Sequence, residues 1–451
     1  MIFSLRPSEV SRGNALALHP NDHLEGHTMM QRRQFLANTA GLAAGLFGSG
    51  LWAGADLVAR PKVAFLGTSV YRHSHAQHFL DRLCEGYAWG GEWKTPRVEV
   101  ASVYIDQFPE QTDLGRNRIE RYKLKQFKSV KEALTLGGSK LAVDGVVIIA
   151  EHGDFPKNEK GQTLYPRYKW FKEAVQVFEE SGRSVPIFND KHLSTDWKEC
   201  VEMVSDSKRL KFPFIAGSSL PVTWRLPSVD MPLGADLRES VCVCYGGVDS
   251  YDFHGYETAQ CMSERRKGGE VGIRSVHALK GDALWAALEA PERQVTQRLF
   301  VSGLNRSHSL PVDGGFPTAK VTYEWAKATM PNTTGFFVEH RDGFRTTMFL
   351  TDISDFNYAG AIGDSGETIG CQMHLPMPGR GASTADFFNS LVRSIENVVL
   401  TGEVPYPVER TLLTSGMVIG GVDSLFAGQK VETPEMAVAY KVGEASTYWR
   451  E

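Results

Sequence analysis

Between Lys62 and Ser219, short unbroken apolar runs alternate with longer stretches whose apolar positions recur at helical spacing. Val63-Ala64-Phe65-Leu66, "RVEVASVYID" (97–106), "VDGVVIIAEHGDFP" (143–156), "VPIFNDKHLS" (185–194) and "KFPFIAGSS" (211–219) contain the runs and read as strands. Between them, "SHAQHFLDRLCEGY" puts Ala76, Phe79, Leu80 and Leu83 on one helical face. "SVKEALTLGG", "YPRYKWFKEAVQVFEESGR" and "STDWKECVEMVSDSKRL" read as further helices, the first with a glycine stop. Continuous apolar strands are buried on both faces, so this alternation predicts a parallel, doubly wound sheet with right-handed crossovers.

The pattern changes after about residue 227. "SVCVCYGG", "VGIRSVHAL", "TGFFVEHRD" and "FRTTMFLTD" suggest an open, largely antiparallel sheet. "ADFFNSLVRSIENVVLTG" carries Phe387, Leu391, Ile395 and Val398-Val399 on one stripe and reads as a core helix. The fold class is therefore α/β. A Rossmann-like doubly wound domain is expected over 56–225. An α+β domain is expected over 226–451, its C-terminal helix able to pack back.

A different kind of segment precedes the strands. "MMQRRQFLANTAGLAAGLFGSGLWAGADL" (29–57) joins Arg32-Arg33 to a weakly apolar, Gly- and Ala-rich stretch that ends in Ala53-Gly54-Ala55. It resembles a twin-arginine (Tat) export signal over 1–55, with Met29 or Met30 an alternative start, and is a poor permanent anchor. The expectation is a protein exported to the periplasm, with no stable membrane insertion after cleavage.

Composition narrows the function classes. A formal charge of −4 leaves no basic stripe for nucleic acid. The six cysteines are scattered without a repeated C-x-x-C pair, so a structural zinc is not expected. In a strand, the C-x-C of Cys242 and Cys244 would face one side of the sheet. A disulfide in an oxidising compartment stays open.

In an open parallel sheet, ligands bind outside the carboxyl ends of the strands. Gly67, Asp106, Glu151 and Lys191 all fall on that edge. A strand, a glycine turn and a helix open a dinucleotide-binding unit. Only Gly67 of the glycine fingerprint is present, followed by Thr68-Ser69. An acid at the end of the second strand, Asp106, suits the ribose hydroxyls of NAD. Asp190-Lys191-His192 sets three titratable groups in single file at a strand end.

This order of elements, "NDKHLS", and the tail "TGEVPYPVERTLLTSGMVIGGVDSLFAGQKVETP" (401–434) resemble the Gfo/Idh/MocA oxidoreductases, relatives of glucose–fructose oxidoreductase and inositol dehydrogenase. Asp190-Lys191-His192 stands where the family has Glu-Lys-Pro. The resemblance implies a nicotinamide cofactor (NAD or NADP, NAD favoured), with Gly67, Thr68, Ser69, Asp106, Glu151 and Asp190 around it. It implies that Lys191 contacts the nicotinamide region and the substrate hydroxyl. It matches the family's helix motif His-x-x-Asp to His254-x-x-Glu257, with Ser250 in place of an expected acid that is either supplied by Asp249 or Asp252 or missing. Arg225, in "AGSSLPVTWRLP", and Asp252 are then candidate substrate contacts, with Trp224 either a wall or core.

The leading expectation is hydride transfer to or from a sugar, cyclitol or related polyol, by a homo-oligomer paired through the exposed sheet face. The alternative is a non-catalytic carbohydrate-binding or scaffold descendant of the same fold. A weaker third is a metal-dependent sugar lyase or isomerase using Asp252, His254 and Glu257. His73, His75 and His78 cluster but lack a spaced carboxylate, so no metal is expected there. Arg265 and Arg266 suit a carboxylate or phosphate, or a charged helix end. No G-x-S-x-G elbow accompanies Ser218-Ser219.

Overall fold

Five strands pair in parallel, in the spatial order Glu99–Gln107, Lys62–Ser69, Gly145–Ile149, Ile187–Asp190, Phe214–Gly217. The structure, a computed structural model, describes residues 59–311, 320–364, 366–376 and 384–450. The twin-arginine segment, and with it the export expectation, lies outside the described residues. Contacts join Ala59–Glu451 into one unit.

Alternation along the first strand explains its two-sided burial. Val63 and Phe65 point into a cluster with Phe79, Leu80 and Leu83 of the helix His75–Glu85. Ala64 and Leu66 point the other way, into a cluster shared with the helices Val130–Thr135, Arg167–Ser181 and Trp197–Leu210. Side chains alternate faces in a strand, so an all-apolar run serves both layers. The stripe Phe387, Leu391, Ile395 and Val398 lies on the helix Phe387–Thr401, which packs back onto the first layer beside His75–Glu85.

A second sheet of eight strands is mostly antiparallel. Among the described residues its one parallel pair joins Leu237–Cys244 to Arg345–Leu350. Cys242 and Cys244 face the same side, as C-x-C in a strand requires, packed against the helices Asp252–Ser263 and Glu409–Ala427. All six cysteines are free thiols.

The opposite face of this sheet differs from the sequence expectation. The expectation is an exposed face that pairs subunits. The helices Asp282–Leu288, Gln294–Leu304 and Tyr323–Thr329 cover its centre, while Ser275, His277 and Glu339 line an open groove towards one edge. Leu284, Trp285, Leu288, Leu299 and Phe300 bury Val241, Val243, Phe337, Phe349 and Ala359 in a separate core. Those strands are therefore apolar on both faces, a pattern read too simply as half-exposed. Among the described residues no helix is long and apolar enough to cross a membrane.

Candidate functional site

The carboxyl ends of the parallel strands open onto a cavity of about 280 Å³. Lys191, Glu151, Asp190 and His254 line it, with His75, His78 and His152. The sheet edge and the Asp252–Ser263 helix thus meet at one place.

Lys191 follows the last residue of its strand and adopts a left-handed backbone, φ 64°. Its N–H donates to the Gly217 carbonyl at 3.1 Å. His73 (φ 68°) and His152 (φ 69°), also in the cavity wall, share that unusual conformation. Left-handed backbone outside glycine is costly and gathers at functional sites. Nζ of Lys191 reaches Oε1 of Glu151 at 3.0 Å. Arg167 Nη2 takes the other oxygen at 2.5 Å, and Arg167 Nη1 meets His192 Nε2 at 2.9 Å.

Electrostatics follow from this packing. Burial pushes Glu151 up, but the Lys191 and Arg167 cations outweigh it and hold the carboxyl well below its usual range. Burial pulls Lys191 down, but Glu151 and Asp190 keep it above its ordinary value. Both groups are therefore charged near neutrality. Burial, reinforced by Arg167, holds His192 well below its usual value.

Across the cavity, His254 Nδ1 lies 3.0 Å from Ser218 Oγ and 3.7 Å from Glu257 Oε2. The Ser218 hydroxyl also bonds Oε2 of Glu257, and the Ser218 N–H donates to Oε1 at 3.0 Å. A spacing of three residues puts His254 and Glu257 on one helical face, as the sequence implied. Gly217 makes this approach possible: its φ is 121°, and a Cβ there would collide with Oε1 of Glu257. Burial pushes Glu257 up to about 7, against the Ser218 hydrogen bonds. Burial holds His254 well below its ordinary value, and Lys191 adds to this. The resting imidazole is therefore neutral.

The remaining expected residues fall into three groups. Asp190 lines the cavity; Oδ2 meets His75 Nδ1 at 2.7 Å, while Oδ1 is buried without a hydrogen-bond partner among the described residues. Gly67, Thr68 and Ser69 lie inside the end of the first strand, outside the cavity wall, with the Thr68 hydroxyl donating to the Glu151 carbonyl at 2.6 Å. Asp106, Asp252 and Arg225 are placed elsewhere. Asp106 is exposed and accepts the Tyr104 hydroxyl at 2.8 Å. Asp252 is fully buried and accepts the N–H groups of Asp249 and Ser250, which fixes the start of its helix; burial pushes its carboxyl up to about 7. Arg225 is expected at the substrate wall, but the structure corrects this. Its guanidinium is buried, paired with Asp230 at 2.6 Å and laid over Tyr448. Trp224 stands edge-on to His374 and Trp449.

Arg167 escaped the sequence reading. It is the first residue of its helix, where a cation opposes the macrodipole. That misfit, in "YPRYKW", was the available signal that a carboxylate lay opposite. Ser218, which has no nucleophile elbow around it, instead joins His254 to Glu257. Among the described residues no group of three His, Cys, Asp or Glu side chains is placed to hold a metal ion.

No family model matches the chain. No curated protein matches it. Solved structures do. GenD2 from gentamicin A biosynthesis, in complex with NAD, superposes with a TM-score of 0.51 at 13% identity, covering 86% of this chain and 99% of its own. A putative myo-inositol dehydrogenase from Sinorhizobium meliloti 1021 gives 0.49 at 10% identity, covering 82% of this chain and 99% of its own. At such identities only the GenD2 likeness carries weight, and it concerns the fold. The fold is the one implied by the resemblance to the Gfo/Idh/MocA oxidoreductases.

Proposed function

We propose that the chain is an oxidoreductase that moves a hydride to or from a hydroxyl-bearing carbon of a sugar, cyclitol or related polyol, with a nicotinamide cofactor as hydride partner. One observation carries this reading: the Lys191 ammonium and the His254 imidazole line one cavity at the carboxyl ends of parallel strands. GenD2, which shares the fold, is in complex with NAD. The reacting end of the cavity fits such a group. Asp190 Oδ1 is buried and unpartnered among the described residues, so it can accept an N–H or O–H from a ligand. The phosphate end fits a dinucleotide poorly: no glycine follows Gly67 until Gly86, so close backbone approach is lost.

The nicotinamide ring, when bound, supplies the hydride acceptor or donor. The chain's own residues handle charge and proton. Lys191, already charged, stabilises negative charge developing on the substrate oxygen. Glu151 and Arg167 hold the ammonium in place. Neutral His254 takes the hydroxyl proton on a ring nitrogen. With Glu257 ionised, Ser218 donates to Glu257 and accepts from His254 Nδ1–H, which leaves Nε2 as the base. With Glu257 protonated the hydrogen bonds reverse, and Ser218 donates to Nδ1.

The test is native mass spectrometry of the purified chain, followed by titration with oxidised and reduced nicotinamide nucleotides. Retained or titratable nicotinamide, reduced in the presence of a polyol, is expected. A chain that binds polyols but no nicotinamide would be a carbohydrate-binding protein instead.

We further propose export through the Tat pathway to the periplasm, on the strength of Arg32-Arg33 and the segment after them. Replacing both arginines by lysine is expected to leave the protein in the cytoplasm. Unchanged export would refute this.

A further inference from the structure

In a doubly wound sheet, a dinucleotide's pyrophosphate crosses the first strand's tip and its adenosine lies towards the second strand. Here that path is crossed by the chain itself. The strand Lys62–Ser69 sits between Glu99–Gln107 and Gly145–Ile149. Gln107 Nε2 donates to the Asp154 carbonyl at 3.0 Å, and the Asp154 N–H donates back to Gln107 Oε1 at 2.8 Å. This pair of bonds ties the end of the strand Glu99–Gln107 to the loop that follows Gly145–Ile149, the two strands that flank the first.

The turn after that strand is closed as well. The strand continues through Ser69, paired with Gln107, instead of turning at Gly67. The Leu114 N–H donates to the Val70 carbonyl at 2.7 Å, and Tyr71 bridges Asp113. A glycine loop binds phosphate with free N–H groups. In this turn the N–H groups of Tyr71, His73, Ser74 and Gln77 are used internally. The Tyr71 and Gln77 N–H groups both donate to Ser74 Oγ at 3.1 Å. The His73 N–H donates to Gln77 Oε1 at 2.6 Å, and that of Ser74 to the Tyr71 carbonyl at 3.0 Å.

We propose that the half-site for the adenosine and pyrophosphate of a dinucleotide is filled by the chain itself, so that the cavity accepts a nicotinamide cofactor by its nicotinamide–ribose end alone. The closure of the half-site stands on the contacts above. The identity of the group that enters rests on the oxidoreductase reading.

Calorimetric titration of the full chain with ADP-ribose, nicotinamide mononucleotide and NAD separates the two. ADP-ribose is expected to show no saturable binding. NAD is expected to bind no more than about threefold tighter than nicotinamide mononucleotide, because its adenosine half gains no contacts. Saturable ADP-ribose binding, or NAD at least about tenfold tighter than the mononucleotide, would overturn the proposal. If neither ADP-ribose nor any nicotinamide compound binds, the closed half-site stands and the oxidoreductase reading falls.

Discussion

Nζ of Lys191 lies 3.0 Å from Oε1 of Glu151, and the two residues stand just beyond the ends of neighbouring parallel strands. Arg167 keeps Glu151 paired from the other side, so the lysine can be removed without leaving the carboxylate alone. Lys191→Met is therefore expected to lower kcat for polyol oxidation by about 10²–10³-fold, the scale of losing one preorganised charge contact. Circular dichroism should still show a folded protein. Wild-type turnover in this variant would remove the lysine from the chemistry.

Glu257 makes the site pH-dependent in two measurable ways. Its carboxyl lies near 7, raised by burial from about 4.5. Oxidation needs His254 Nε2 free as a base, which the ionised carboxylate favours. The oxidation rate should rise through about pH 7, and Glu257→Gln should flatten that limb. Stability moves the other way. Between the unfolded and folded values the native state holds more protons, so stability falls as pH rises through this window. His192 and His254, held neutral in the native state, act in the opposite sense over the same window, so the readout is a difference between proteins. The change in stability from about pH 5 to pH 8, by urea unfolding, should be more favourable in Glu257→Gln than in the wild type. Asp252, which burial also raises to about 7, contributes a fall of its own that the substitution leaves in place. An unaltered pH–rate profile in Glu257→Gln would exclude the relay.

The sequence makes the first sheet legible because its strands are apolar on both faces and its helices carry single stripes. Lys191, Glu151 and His254 could be found because their order along the chain maps onto one sheet edge and one helix face. Arg225 could not be placed that way. Its partner, Asp230, is near in sequence, but its burial against Tyr448 depends on a chain end with no periodic pattern. Asp106 sits at a strand end as expected, yet nothing in the sequence shows that Tyr104 takes its oxygen or that Gln107 reaches across to Asp154. No helices are read from the sequence over 282–304, so nothing in it covers the second sheet, whose Val241 and Phe337 those helices bury.

Arg167 offers a test of how the cavity floor is held. Its guanidinium is buried between Glu151 and His192. Arg167→Met leaves Glu151 dependent on Lys191 and is expected to cost about 3–5 kcal/mol in urea unfolding. Glu151 also pairs the buried Lys191 ammonium, so the triple variant Arg167→Met, Glu151→Met and Lys191→Met is needed to remove every charge of the cluster, and it should recover part of that loss. A triple variant no more stable than Arg167→Met would mean that the arginine acts through packing and not through the charge cluster.

The covered sheet face bears on assembly. A second copy docking on Val241, Phe337 and Phe349 would have to displace Trp285 and Phe300, which already bury them. Subunit pairing through the centre of this face is therefore not expected. Cross-linking mass spectrometry, run beside light scattering, should show no link between the 334–350 hairpins of two copies. Phe300→Ala should loosen the cover at a cost of about 3–5 kcal/mol, the usual range for truncating a buried phenylalanine. It should also promote association that grows with concentration, because the apolar strands would then be reachable. A wild-type oligomer cross-linked hairpin to hairpin would show that the helices leave the face open in solution.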